Sequence, residues 1–156
     1  MRLLIKQRVF SWTDTYDVYD GQEREKYYVK ADFLTFGHQI HVYDQNGMEL
    51  GGIYEKLLTF LPVFEVKVGE DTVGTIQKKL SFFIPRYELS YKGWQVEGDF
   101  LGWEYDVRKD AGLVAHIHKE WLSWGDTYVI EFDKPEDELF CLLLAIAIDA
   151  ANCGKG

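Results

Sequence analysis

Hydrophobic positions follow one rule over residues 1–132 and a second rule over the stretch that comes after. Under the first, a large apolar or aromatic residue is followed after three residues by another and, one residue further on, by a third. The pattern occurs six times: Trp12-x3-Tyr16-x-Val18, Phe36-x3-Ile40-x-Val42, Phe60-x3-Phe64-x-Val66, Phe83-x3-Tyr87-x-Leu89, Leu101-x3-Tyr105-x-Val107 and Trp124-x3-Tyr128-x-Ile130. Ser11-Trp-Thr-Asp-Thr-Tyr16 and Ser123-Trp-Gly-Asp-Thr-Tyr128 agree almost word for word, which marks an internal repeat. A turn signal follows each of the first five copies: Asp20-Gly21, Asn46-Gly47, Gly69-Glu70-Asp71, Lys92-Gly93 and Asp110-Ala111-Gly112. Each is followed by a second β-prone run: Tyr27 to Ala31, Leu50 to Tyr54, Val73 to Ile76, Trp94 to Glu97 and Leu113 to Ile117. Alternation within an arm, as in Tyr87-Glu-Leu-Ser-Tyr91, buries one face and wets the other. With an opening strand from Leu3 to Val9, this predicts eleven or twelve antiparallel strands.

The second rule holds from Asp133 to Asn152 and predicts one helix of about eighteen residues, roughly 27 Å long. Asp133 or Lys134 caps it, Pro135 pre-sets φ in the first turn, and Glu136, Asp137 and Glu138 complement the positive end of the dipole. Gly154 offers the left-handed stop. From Leu139 to Ile148 every position is apolar, so the helix has no polar face and must be surrounded. Ten apolar residues are too few to cross a bilayer, so the surroundings are protein. The strands must therefore close into a tube around the helix, and closure also removes the edges of a very aromatic sheet.

The 156 residues are expected to form one domain over 1–156, with 17 basic against 26 acidic residues and a net charge of −9. Such a charge excludes a general electrostatic grip on nucleic acid and leaves only local basic patches. No transmembrane segment is predicted. Leu3-Leu4-Ile5 is far short of a signal-peptide core, so a cytoplasmic location, peripheral at a membrane if lipid is bound, is expected. Cys141 and Cys153 stand twelve residues apart on one helix, about 18 Å, and are expected as reduced thiols in the core.

Candidate chemistry is sparse. Basic residues recur four to six positions before the repeat's first residue: Lys6, Arg8, Lys30, Lys56, Lys78, Lys79 and Lys119. If the repeats are equivalent, they form a collar at one level of the barrel, suited to a phosphate or an anionic lipid head. The densest part comprises Lys56, Lys78, Lys79 and Arg86, the candidate ligand-binding residues. His116-x-His118 and His38-x2-His41 offer imidazole pairs, but no third ligand is specified and no metal or other cofactor is assigned. Asp14 and Asp126 recur in Trp-x-Asp-Thr-Tyr settings, where they more naturally satisfy backbone groups at a bulge than act as an acid–base pair. Glycine-rich phosphate loops, nucleophile elbows and zinc-protease motifs do not occur, and no catalytic residue is assigned. The tryptophans at repeat-equivalent positions are expected to pack on the helix; Trp103, two positions after its copy's first residue, and Trp121, three before, are exceptions in parity, so at least Trp121 should face outward unless a bulge intervenes.

Four segments resemble the LURP-one-related family: the repeat from Arg8 to Tyr19, Gly98-Asp-Phe-Leu-Gly-Trp103, Lys119-Glu-Trp-Leu-Ser-Trp-Gly-Asp-Thr-Tyr128 and the helix start Asp137-Glu-Leu. This resemblance implies the tubby-like fold shared with tubby C-terminal domains and phospholipid scramblases, a twelve-stranded barrel around a central C-terminal helix. Tubby domains bind phosphoinositide headgroups through a basic pocket, and scramblases are membrane-attached. The expected function is a non-catalytic binding or regulatory module for anionic phospholipid headgroups or a protein partner. The alternative is a hydrolase or other enzyme using surface carboxylates.

Overall fold

The computed structural model describes residues 1–6, 15–32, 37–81, 86–123 and 125–153, without the side chain of Cys153. Arg8, Trp12, Asp14, Phe36, Phe83, Trp124 and Gly154 lie outside the described residues.

Twelve strands are described: β1 (Arg2–Ile5), β2 (Thr15–Asp20), β3 (Glu25–Asp32), β4 (Gln39–Asp44), β5 (Glu49–Glu55), β6 (Val63–Val68), β7 (Asp71–Lys79), β8 (Arg86–Tyr91), β9 (Trp94–Asp99), β10 (Glu104–Lys109), β11 (Gly112–Leu122) and β12 (Gly125–Phe132). They pair in the order β8-β7-β6-β5-β4-β3-β2-β1-β12-β11-β10-β9, each antiparallel to its neighbours. Ten of the eleven ladders join strands adjacent in sequence; β1 with β12, where Leu3 faces Ile130, brings the two ends of the sheet's chain together. A 3-10 turn (Pro135–Asp137) then leads into α1 (Glu138–Cys153), which runs up the inside of the tube.

The repeat's second and third positions face inward and form the sleeve. Val18, Ile40, Val42, Phe64, Val66, Val107 and Ile130 are fully or almost fully buried, as are Leu142 to Ile148 on α1. That is the all-round burial an all-round apolar helix demands. Gly51 brings sheet and helix together: a Cβ there would meet the Lys67 carbonyl and, at 3.3 Å, Leu143 Cδ1.

Apolar burial has no direction, so polar contacts set the helix's height and rotation. At its start Glu138 accepts a hydrogen bond from the Tyr27 hydroxyl and pairs with Lys26 at 2.6 Å. Nearby, the Tyr91 hydroxyl donates to the Phe140 carbonyl at 2.8 Å, and Lys92 Nζ lies 3.7 Å from the Phe140 ring centroid. At its far end Asn152 bonds to the Tyr87 hydroxyl and the Phe100 carbonyl, and Trp103 Nε1 donates to buried Asp149 at 3.2 Å.

Two details differ from the expectation. The first helical turn is 3-10, with Lys134 at its cap position contributing no side-chain bond. The tube is also nearly closed rather than sealed, because β8 and β9 are the two ends of the sheet. They are joined by a Lys92-Gly93 turn with φ of 53° and 69°, the left-handed pair of a tight hairpin, and Tyr91 packs edge-on to Trp94 at 5.4 Å. Above that turn the strands part around a groove lined by Tyr87, Leu89, Val96 and Arg108. Charged residues, Glu88 on one edge and Glu97 on the other, guard the open edges.

Leu143→Asp is expected to abolish soluble, folded protein, since an unpaired charge in this interior costs several kcal/mol of a typical 5–15. Leu143→Ala should instead remain folded and lose about 2–5 kcal/mol in denaturant titration. A second expectation concerns alkali. Burial raises the Cys141 thiol from 9.0 to about 12 and pushes the hydroxyls of Tyr27, Tyr91 and Tyr105 upward. Groups with raised folded-state values stabilise the protein below their unfolded values and withdraw that stability as pH climbs. Melting temperature should thus fall from about pH 9 to 12, and in Cys153→Ser protein a thiol reagent at about pH 8 should reach Cys141 only after unfolding.

Candidate functional site

Since odd-numbered strands all run the same way, their ends define one rim, called here the mouth. Lys6 follows β1, Lys30 lies near the end of β3, Lys56 follows β5, Lys78 and Lys79 end β7, and Lys119 lies near the end of β11. Arg86 begins β8 directly across from Lys79. The structure therefore brings Lys56, Lys78, Lys79 and Arg86 to neighbouring positions on one rim. They share a level but not a face. Lys78, opposite core-packed Tyr87, and Lys119, with its Nζ 5.5 Å from the Tyr128 ring centroid, have inward parity and stand in the mouth; Lys30 and Lys79 point outside. Lys56 is partly offset by Glu65 at 3.4 Å and Lys79 by Glu88 at 2.9 Å.

The same rim carries exposed apolar side chains, members of the repeat among them. Phe60 and Leu101, the described members among the repeat's first positions, sit in loops above the tube, and Phe60 is 89% exposed. Leu57, Leu58 and Leu80 are exposed beside them. Trp121 is 81% exposed as expected, but for a different reason: it has the parity of buried Ile117 and lies beyond the last layer of the core. Trp94 and Trp103 pack inside, Trp103 through a turn residue with φ of 56°. Leu58 is fully exposed with φ of 60°, a left-handed conformation that costs a bulky residue of order 1–3 kcal/mol.

Charge divides between the rims. The opposite rim, where α1 enters, holds Glu70, Asp71, Asp110, Asp133 and Glu136, so much of the net negative charge lies at the far end from the mouth.

Asp126 is exposed at the start of β12 across from Trp121, and Thr127 donates its hydroxyl to the Gly125 carbonyl at 3.1 Å. Every histidine faces a carboxylate: His38 meets Glu55, His41 meets Glu49, His116 meets Asp106 at 2.7 Å, and His118 lies 3.5 Å from Glu131. Cys141 is a buried free thiol. Among the described residues no helix is long and apolar enough to cross a membrane.

Comparison with known proteins finds the profile of the LURP-one-related family matching residues 1–149. An uncharacterised Bacillus subtilis protein, YxjI, is 33% identical over 149 residues, covering 96% of this chain and 92% of the relative. An X-ray structure of an Arabidopsis thaliana protein superposes with a TM-score of 0.65 at 15% identity, over 96% of this chain and 90% of the other, a likeness of fold.

Phe60→Ser and Trp121→Ser should leave folding stability within about 0.5 kcal/mol of the parent by denaturant melt, because neither side chain is packed. A loss of 2 kcal/mol or more, on the order of a core truncation, would place either residue in the interior instead.

Proposed function

Starting from a chain that belongs to the LURP-one-related family, we propose that the domain is a non-catalytic module that docks its mouth on membranes rich in anionic phospholipid. The observation that carries this reading is the Leu57-Leu58 tip. An apolar side chain is held fully in water on strained backbone, two costs for which the described fold offers no return. Insertion into the headgroup region would recover the first cost at about 25 cal/mol per Å² of apolar surface removed from water. Phe60, Leu80, Leu101 and Trp121 are exposed on the same rim.

Lys56, Lys78, Lys79 and Arg86 lie on the same rim and supply the attraction. A basic residue near an anionic surface is worth about 1 kcal/mol, and at physiological salt the Debye length is about 8 Å, so carboxylates at the far rim are screened from the contact. Lys56 and Lys79 would have to loosen from Glu65 and Glu88, half-exposed pairs that themselves contribute little. The sum supports weak, reversible association.

The parent should co-sediment with phosphatidylserine-rich vesicles at low salt and be released as salt rises. Lys78→Glu/Lys79→Glu should abolish sedimentation, and Leu58→Ser/Phe60→Ser should weaken it while leaving the melt unchanged. Failure of the parent to sediment at any salt, or equal sedimentation of parent and both variants, overturns the proposal.

A further inference from the structure

On the outer wall, β11 presents His116, His118 and Glu120 in one row. Glu131 of β12 lies opposite His116, and Arg2 of β1 lies opposite Glu131. His118 Nε2 is buried and makes no hydrogen bond. It sits 3.5 Å from Glu131 Oε2 and 3.8 Å from Glu120 Oε1, and the three donor atoms all lie within 4.8 Å of one another. These separations are too long for hydrogen bonds, which span 2.7–3.2 Å. They approach the edge of a tetrahedron around an ion bound at 2.0–2.1 Å, about 3.4 Å.

We propose that His118, Glu120 and Glu131 form a site for a divalent first-row transition ion, with Zn²⁺ the best match and Arg2 its displaceable stand-in. One imidazole with two carboxylates suits Zn²⁺ better than the all-oxygen preference of Ca²⁺ or Mg²⁺. His116 stacks on His118 with ring centroids 4.7 Å apart and is itself held by Asp106 at 2.7 Å and Glu104 at 3.2 Å. It therefore fixes the plane of the liganding ring and is not a ligand. Two carboxylates this close need a cation between them. Without metal, Arg2 supplies it, bonded to Glu120 and 3.2 Å from Glu131. Arg2 is partly exposed and can swing outward, leaving the carboxylates to an ion that also satisfies the buried His118 nitrogen.

Arg2 makes the idea testable in a way a structural charge cluster would not be. Zn²⁺ titrated into the full chain, followed by calorimetry and by competition with a chromophoric chelator, should bind at one equivalent. His118→Ala and Glu131→Gln should each weaken binding roughly tenfold or more, on the scale that even an outer-shell change produces. Arg2→Gln should tighten binding by removing the competitor, while His41→Ala should not change it. Zn²⁺ should also raise the melting temperature of the parent and not that of His118→Ala. The site is refuted if His118→Ala binds like the parent, if Arg2→Gln binds more weakly than the parent, or if neither the parent nor Arg2→Gln binds Zn²⁺ at all.

Discussion

An α-helix with no polar face cannot rest against a surface; it has to be enclosed, and most features of this domain follow from that requirement. Leu142 to Ile148 are buried on every side, so the sheet must curl until its inner face meets itself. A tube that admits a helix needs more strands than one filled by side chains alone, and twelve supply it. The repeat is the economical way to encode such a tube, since each hairpin adds two inward-facing arms of one design. Gly51 stands where an added Cβ would press on the Lys67 carbonyl of the neighbouring strand and crowd Leu143 of the helix.

Enclosure by apolar contact alone would leave a smooth rod in a smooth sleeve. Directional bonds at the two ends settle its register: Tyr27, Lys26 and Tyr91 below, and Tyr87, Trp103 and the Phe100 carbonyl above. The same layout separates the rims chemically. Tight turns and acidic residues collect where the helix enters. The other rim carries the collar of basic side chains and exposed Leu58, Phe60, Leu101 and Trp121, so one end of the barrel differs from the other in both charge and polarity.

The helix and sleeve were legible because periodicity reports directly on burial: ten apolar residues in a row leave no choice for α1, and the second and third repeat positions fall on one strand face. The first repeat position departs from the other two for a physical reason. Parity tells which side of a strand a residue faces, not whether anything remains there to pack against, and Phe60 and Leu101 lie past the end of the core. Trp103 reaches the interior through a left-handed turn residue that no alternation rule anticipates. The split between β8 and β9 was equally hidden, because twelve well-formed strands read the same whether or not the final seam zips. Of the outer-wall cluster, His116 and His118 were visible as neighbours in the chain, whereas Glu131 and Arg2 join them only through the β11–β12 and β12–β1 ladders.

The ladder between β1 and β12 also governs how the domain comes into being. Leu3 cannot meet Ile130, and no strand can bury its inner face on α1, until nearly the whole domain has been synthesised. The hairpins are local and can form early, but the closing ladder carries a large loop-closure cost and the core arrives behind its own shell. Growing chains therefore pass through a stage in which aromatic strands are exposed with nothing to wrap. Twist and charged edge positions must keep that half-made sheet from pairing with its neighbours until the helix emerges.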